Sequence, residues 1–237
     1  MRYTPGHLAV VALLALVLGY AGAAAQAPTA KSPTIDELRK AVASLRGGRI
    51  PRPSSYDAMT AEQKAFVTSV LSGPRGDISG SLGVMIVSPA FADLAQKTIA
   101  YARFAGREGY STVPPRLSEL AILMGARAWT AHYAWYVHRR AAEQAGLPAA
   151  VIDAVRDGRQ PGAMDRDVAA VYTFCNELLT KKQVSNATLQ TARAVLGGDR
   201  GVVDLVGTLG MYQVVAMMMV VDEFPLPDGV KSELKPL

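Results

Sequence analysis

The chain has 237 residues, of which 50% are hydrophobic and 19% are charged, and its formal net charge is +5. This length and apolar content suffice for one helical domain with a sizeable core. The basic residues are scattered rather than gathered in a stripe interleaved with aromatic residues, so the composition argues against a nucleic-acid-binding protein. The single cysteine, Cys175, excludes an intrachain disulfide and any C-x-x-C redox or zinc motif.

The first 25 residues are typical of a secretory signal peptide. The charged residue Arg2 precedes an apolar run over residues 8–18, and a string of three alanines ends at residue 25. The apolar run is short for a membrane span, and the alanines match an A-x-A cleavage site. We therefore expect residues 1–25 to be removed on export, which leaves a periplasmic or secreted protein with no membrane contact. An uncleaved anchor helix is the alternative.

The rest of the chain is predicted to be all-α, with a single helical bundle over residues 49–229. Residues 26–48 are predicted to form a linker and a short helix that begins at Thr34, and residues 230–237 a tail. Thr60 and Gln63 form a capping box for a second helix. A loop rich in Gly and Ser, long enough to arch over a site, follows at residues 73–83. Further helices are predicted over residues 89–105, 115–129, 131–145, 148–157, 164–180, 185–196 and 201–221.

Two apolar segments allow more than one interpretation. Residues 84–87 are bounded like a strand, but so short a run cannot be distinguished from buried helix by its period. Residues 202–221 are long enough to cross a membrane, but Asp204, Thr208 and Gln213 interrupt them. A helix that is apolar on every side must be covered, so we expect a core or subunit-interface helix and a homo-oligomer.

Glu119 is the first candidate catalytic residue. It lies in a predicted helix, and the residues three, four and seven positions after it are all apolar. The carboxylate is therefore expected to emerge from an apolar surface, where it needs a hydrogen-bonding partner or takes up a proton. Either state suits acid/base chemistry. The alternative is a structural ion pair with Arg116 or Arg127.

His132 and His138 are the only histidines after the predicted signal peptide. Six residues on a helix turn through about 600°, so the two rings cannot easily share one metal ion. Imidazole titrates near neutrality, and a neighbouring carboxylate fixes its tautomer. Proton transfer beside Glu119 is therefore the predicted role, and an ordinary core or surface histidine is the alternative.

Three motifs carry a resemblance to a known family. They are Arg116-Leu-Ser-Glu119-Leu-Ala-Ile-Leu, then His132-Tyr133-x-Trp135-x-x-His138, then Ala145-Gly146-Leu147. Together they resemble the carboxymuconolactone decarboxylase superfamily, which includes alkyl hydroperoxidase D. The resemblance covers roughly residues 49–229. It implies an alkyl hydroperoxidase D-like helical bundle that assembles as a trimer or hexamer.

The resemblance also indicates which chemistry to exclude. In the hydroperoxidase branch a C-x-x-C pair lies between the glutamate and the histidine, and Ala131 and Ala134 occupy those positions here. Disulfide-exchange peroxidases need two sulfurs within bonding reach, so thiol peroxidase activity is not expected. In many cysteine-free relatives a glutamate stands where this chain has His132, which is a departure from their chemistry as well.

The decarboxylase branch acts without a cofactor on a carboxylated lactone. By resemblance, we expect a cavity in which protein groups move a proton on a small lactone or carboxylic acid, with no cofactor and no metal. The residues implied are Glu119, His132 and His138 for proton transfer, Tyr133, Trp135 and Tyr212 for shaping the cavity, and Arg116 for binding an anionic substrate.

Three functions follow from these expectations. The first is an exported, cofactor-independent lyase or isomerase of the decarboxylase type. The second is a non-catalytic protein that binds a small molecule in the same cavity. The third is residual antioxidant chemistry through Cys175, which the missing cysteine pair disfavours.

Overall fold

A computed structural model describes residues 32–236 of the chain. The predicted signal peptide and most of the predicted linker lie outside these residues. Within the described range the regular elements are ten helices, with no strand. They are α1 (Ile35–Ala43), α2 (Ala61–Ser72), α3 (Ser81–Met85), α4 (Pro89–Arg103), α5 (Pro115–Ala128), α6 (His132–Gln144), α7 (Ala149–Arg156), α8 (Arg166–Lys181), α9 (Asn186–Leu196) and α10 (Asp199–Asp222).

Local sequence signals explain where several helices begin. Thr34 and Thr60 cap α1 and α2 through reciprocal capping boxes with Glu37 and Gln63. Proline occupies the first position of α4 and α5, where its missing N–H costs no intrahelical hydrogen bond. The predicted all-α class is therefore confirmed, and the boundaries differ from the expected ones by only a few residues.

Residues 84–87 are not a strand. The first two of them belong to the short buried helix α3, and the chain then turns into α4. Val84, Met85 and Ile86 are almost fully buried, as is expected for apolar residues that pack inside a helical core, while Val87 is about half exposed. Of the two interpretations left open by the sequence, the helical one is correct for this segment.

The core consists of two apolar clusters that meet at α5 and α10. One cluster is formed mainly by α5 to α9, and the other mainly by α1 to α4. Helix α10 contributes to both: Leu205 and Leu209 pack in the first cluster, and Val215 and Met219 pack in the second. Helices α5 and α10 also pack extensively against each other. Side chains that α5, α6 and α10 direct toward this boundary lie deep in the protein.

Helix α10 is apolar, yet it carries buried carboxylates. It is long and apolar enough to cross a membrane by length and composition, and half of its most apolar window is buried inside the protein. Asp204 accepts hydrogen bonds from the Tyr101 hydroxyl at 2.9 Å and from the Thr112 backbone N–H at 2.8 Å. These bonds attach α10 to α4 and to the segment that precedes α5.

Asp222, at the last residue of α10, holds the chain that follows α1. Its side chain is fully buried and accepts hydrogen bonds from the Arg52 guanidinium and from the Ile50 backbone N–H. Burial alone would raise the pKa of this carboxyl group, but those hydrogen bonds and the charge of Arg52 lower it. Gly48 lies against the same carboxylate, so close that a Cβ atom there would overlap it.

The carboxyl-terminal tail is packed against α6. Ser232 Oγ lies 2.5 Å from His132 Nδ1, and the Trp135 indole N–H donates to Glu233 Oε2 at 3.2 Å. Glu233 also forms an ion pair with Arg139. The next residue, Leu234, is buried in the first apolar cluster. Residues 232–234 therefore fix one side of α6.

The contact between Gly48 and Asp222 predicts a difference between two adjacent glycines. Gly48→Ala should destabilise the protein by roughly 1–3 kcal/mol, because the added methyl group would displace the buried Asp222 carboxylate. Gly47→Ala is the matched control, since no atom lies within 4 Å of its Cβ position. It should change stability little, or raise it by up to about 1 kcal/mol. Urea denaturation followed by circular dichroism measures both, and equal midpoints would contradict the prediction.

Candidate acid/base site

Glu119 and His138 form a buried hydrogen-bonded pair. Glu119 Oε2 lies 2.7 Å from His138 Nδ1, and the residues are 9% and 5% exposed. Helix α5 carries the carboxylate and α6 carries the imidazole, and these two helices pack closely. When the carboxylate is ionised it accepts from Nδ1–H, which leaves the lone pair on Nε2. The imidazole is thus oriented as a proton acceptor or donor.

Tyr212 of α10 completes a buried group of three side chains. Its ring lies edge-on to the His138 ring, with centroids 4.8 Å apart. Its hydroxyl is buried and makes no hydrogen bond of good geometry to the described residues. Burial raises the pKa of this hydroxyl, and the nearby charges of Arg103 and Arg75 only partly offset the effect. Tyr212 is therefore a neutral donor without a protein acceptor.

A cavity of about 410 Å³ opens beside this group. His138 and Tyr212 line it, and Tyr133 adds a third polar ring. Burial raises the pKa of the Tyr133 hydroxyl too, so it stays protonated at neutral pH. The remaining walls of the cavity come from α4, from α10 and from residues 74–81. These last residues belong to the Gly- and Ser-rich loop that the sequence predicts. The cavity is large enough for a small organic molecule.

Two arginines that the sequence did not single out also line the cavity. Arg103 ends α4, and Arg75 lies in the loop before α3. No carboxylate in the described part of the chain forms an ion pair with either guanidinium. Arg75 instead donates to the backbone carbonyls of Asp77 and Ser79, at 2.9 and 3.1 Å. Burial lowers the pKa of Arg75, and repulsion from Arg103 lowers it further.

The Asp77 carboxylate also lines the cavity, but it is engaged elsewhere. It accepts hydrogen bonds from the backbone N–H and the hydroxyl of Ser79. These bonds hold the loop rather than neutralising the arginines by direct contact. The cavity therefore combines two guanidinium groups, one engaged carboxylate and the His138 imidazole, a set that favours an anionic guest.

Three of the candidate residues lie away from this cavity. His132 is exposed and borders a different surface depression, where its ring contacts Ser232. Trp135 is buried, and its indole N–H is bonded to Glu233 on the far side of α6. Arg116 pairs with Asp165 and Asp167 at the start of α8. The structure brings Glu119, His138, Tyr133 and Tyr212 together and leaves the other three outside.

The alternative of a structural ion pair for Glu119 does not hold. Arg116 forms ion pairs with Asp165 and Asp167, and Arg127 donates a hydrogen bond to the Thr130 hydroxyl at 3.2 Å. The partner of Glu119 is an imidazole rather than a guanidinium. A neutral imidazole has one nitrogen that can accept a proton and one that can donate, whereas a guanidinium only donates, so this pair offers acid/base chemistry that an arginine pair would not.

The positions of the missing cysteine pair are apolar and buried. Ala131 and Ala134 are 2% and 4% exposed. Cys175 is fully buried in the first apolar cluster on α8, and burial raises the pKa of its thiol to about 12. Among the described residues no group of three or more His, Cys, Asp or Glu side chains could hold a metal ion. The polar side chains that line the cavity beside His138 are imidazole, carboxylate, phenol, hydroxyl and guanidinium groups.

The environment of Cys175 predicts an unreactive thiol. In the folded protein, Cys175 should not react with Ellman's reagent at pH 8, because the thiolate is the reactive species and the side chain has no solvent access. In urea the same sample should release one equivalent of chromophore, measured by absorbance. Stoichiometric labelling of native protein within minutes would contradict this expectation. Cys175→Ser supplies the background.

In comparisons with known proteins, no family model matches this chain, and no curated protein matches it either.

Proposed function

We propose that this protein is a cofactor-independent acid/base enzyme of the carboxymuconolactone decarboxylase class. It would act as a lyase or isomerase on a small organic anion. The observation that carries the proposal is the buried 2.7 Å contact between Glu119 and His138 at the wall of a cavity. An all-helical chain with this Glu and His pair is consistent with the alkyl hydroperoxidase D-like bundle that the sequence motifs suggest.

In the proposed mechanism His138 is the proton carrier. Its Nδ1 is occupied by Glu119, and its Nε2 makes no hydrogen bond to the described residues. A general base needs a fixed tautomer and a free nitrogen near the substrate. Glu119 supplies the first and stabilises the imidazolium that forms when Nε2 takes a proton. Glu119 is a positioning residue, because the walls of the cavity do not include it.

The charged groups of the cavity suggest the class of substrate. Arg75 and Arg103 would bind a carboxylate, since a guanidinium presents parallel N–H donors that match its two oxygens. The Tyr212 hydroxyl would donate a hydrogen bond to a carbonyl oxygen near His138. A small keto acid or carboxylated lactone meets both requirements.

This arrangement suits chemistry that passes through an enolate. In a decarboxylation, the bond from carbon to the carboxylate breaks and CO₂ leaves, and the electron pair moves into an adjacent carbonyl. The Tyr212 hydroxyl would stabilise the oxygen that gains charge. Protonated His138 would then deliver a proton to the carbon. In an isomerisation, neutral His138 would first remove a proton from one carbon and then return it to another.

Export and homo-oligomerisation belong to the same proposal. Export rests on the sequence pattern of residues 1–25 alone. Assembly is supported by four valines on α10 that remain exposed on a helix otherwise built for burial. Val203 and Val221 are the most exposed of them, and Val206 and Val220 are the others. A second copy of this chain would cover these side chains, as the all-round apolar sequence of the helix predicts.

A non-catalytic binding protein is the second candidate. One observation favours it: of the three residues expected to transfer protons, only His138 lines the cavity. Arg75, Arg103 and Tyr212 would be enough to hold an organic anion without chemistry. Turnover separates the two candidates, because only the enzyme converts a bound keto acid or lactone.

The first test compares His138 with its neighbour His132. A panel of carboxylated lactones and keto acids is incubated with the protein, and products are measured by mass spectrometry. For any substrate that is converted, His138→Ala should lower kcat about 100- to 10,000-fold, because it removes the proton carrier. Glu119→Gln should also lower kcat, since it removes the charge that stabilises the imidazolium.

His132→Ala is the matched control in that experiment. It removes an imidazole on the same helix that faces a different depression, so kcat should change less than threefold. Equal activity of wild type and His138→Ala would exclude the proposed mechanism. Binding of a panel member by every variant, with no turnover by any, would favour the binding protein instead.

The second test concerns the guanidinium groups. Arg103→Gln should raise KM for a carboxylated substrate about tenfold or more, with a smaller effect on kcat, because it removes a charged hydrogen-bond donor from the cavity. Arg75→Gln should act in the same direction, although this side chain also holds its loop. Arg140→Gln removes an exposed arginine on α6 outside the cavity and should leave KM unchanged. Steady-state kinetics give these values, and an unchanged KM in both cavity variants would remove the assigned role.

A further inference from the structure

A second cationic group is buried at the end of α5, separate from the acid/base site. Arg127 is only 6% exposed. One nitrogen, Nη1, donates to the Thr130 hydroxyl at 3.2 Å, while Nε is buried and has no hydrogen-bond partner. No carboxylate within the described range of the chain forms an ion pair with Arg127. Such a group is costly to bury, so its presence calls for an anion that the chain itself does not provide.

The nearest acidic group does not fill this role. Asp157 acts on Arg127 electrostatically, but its oxygens accept hydrogen bonds from Arg156 and Arg159. These bonds lower the pKa of the Asp157 carboxyl to about 2. Asp153 is likewise paired with Arg156. The carboxylates of Asp153 and Asp157 are therefore paired with Arg156 and Arg159, and among the described residues the positive charge of Arg127 has no carboxylate in direct contact.

A cavity of about 320 Å³ adjoins Arg127 between α5, α7 and α8. Arg159 and Asn176 give it further polar groups, and Met124, Val155 and Leu179 give it apolar walls. None of its lining residues lines the cavity beside His138. The cavity thus offers a charged donor at one point and an apolar surface beside it, the combination that binds an amphipathic anion.

We propose that this cavity is a binding site for a small organic carboxylate with a short apolar body. Arg127 binds the carboxylate, and the Asn176 side-chain amide supplies a second donor. Met124, Val155 and Leu179 contact the hydrocarbon part. Phosphate would satisfy the charge but leave the apolar walls in contact with water. The proposal does not depend on the function proposed for Glu119 and His138, since the two cavities share no residue.

The test measures binding to the full-length protein by isothermal titration calorimetry and by thermal unfolding. The probes are sodium hexanoate, neutral hexanol and inorganic phosphate, in a buffer free of other carboxylates. Hexanoate should bind and raise the unfolding temperature, while hexanol and phosphate should bind at least tenfold more weakly. Equal binding of hexanol, or tighter binding of phosphate, would overturn the proposal. So would the absence of hexanoate binding at millimolar concentration.

Variants then locate the site. R127M should weaken hexanoate binding about tenfold or more, because it removes a charged donor while keeping an unbranched apolar side chain. Without ligand, R127M should unfold at the same temperature as wild type or higher, because it removes an uncompensated buried charge. Unchanged affinity of R127M, or a lower unfolding temperature without ligand, would contradict the assignment.

Two further variants serve as controls. The double variant R75Q/R103Q removes the guanidinium groups of the other cavity and should keep the hexanoate affinity of wild type. Loss of binding in this variant would place the carboxylate beside His138 and overturn the proposal. R140M replaces an exposed arginine and should behave as wild type. R127K is a second variant at the same position: the charge remains but the fork of donors is lost, and affinity should still fall several-fold.

Discussion

The hydrogen bond between Glu119 and His138 is the interaction on which the candidate site depends. It joins α5 to α6 at a depth where neither side chain has much contact with water. In such a place a carboxylate without a partner would be costly, so burial and pairing require each other. The same bond fixes which imidazole nitrogen remains free. A single hydrogen bond therefore both stabilises the packing of α5 against α6 and orients His138 for proton transfer.

Helix α10 packs beside this pair and forms part of both core clusters. Its apolar side chains belong to both core clusters, so the helix must be buried along much of its length. Its polar residues are then restricted to places where they find partners: Asp204 near the beginning and Asp222 at the end. Tyr212, between them, is the exception, because its hydroxyl faces the cavity without an acceptor. Helix α10 thus contributes to both core clusters, binds neighbouring segments through its two aspartates, and forms one wall of the cavity.

Much of the fold could be predicted because its signals are local. Capping residues, prolines and helical periodicity lie within a few positions of the structure they determine. The proximity of Glu119 and His138 was also expected, since the apolar surroundings of the glutamate required a partner. His132 does not lie in the same site. Six residues on a helix turn through about 600°, so its ring points to a different side of α6 from that of His138.

The roles of the arginines could not be read from local sequence. Arg116 follows the prolines that open α5, but its partners are aspartates about 50 residues later, which only the packing of α8 brings near. Arg75 and Arg103 reach one cavity because a loop and the end of α4 meet there, 28 positions apart in the chain. No motif or period marks such a meeting. The Gly- and Ser-rich segment at residues 73–83, part of which lines the cavity, was the available hint.

The packed carboxyl-terminal tail has a practical consequence for protein engineering. Residues 232–234 belong to the folded body, since Leu234 is buried and Glu233 is bonded to two residues of α6. A fluorescent reporter or purification tag fused directly after residue 234 would begin at that attachment. A flexible spacer of Gly and Ser would be needed to keep such a fusion from pulling on the helix that carries His138.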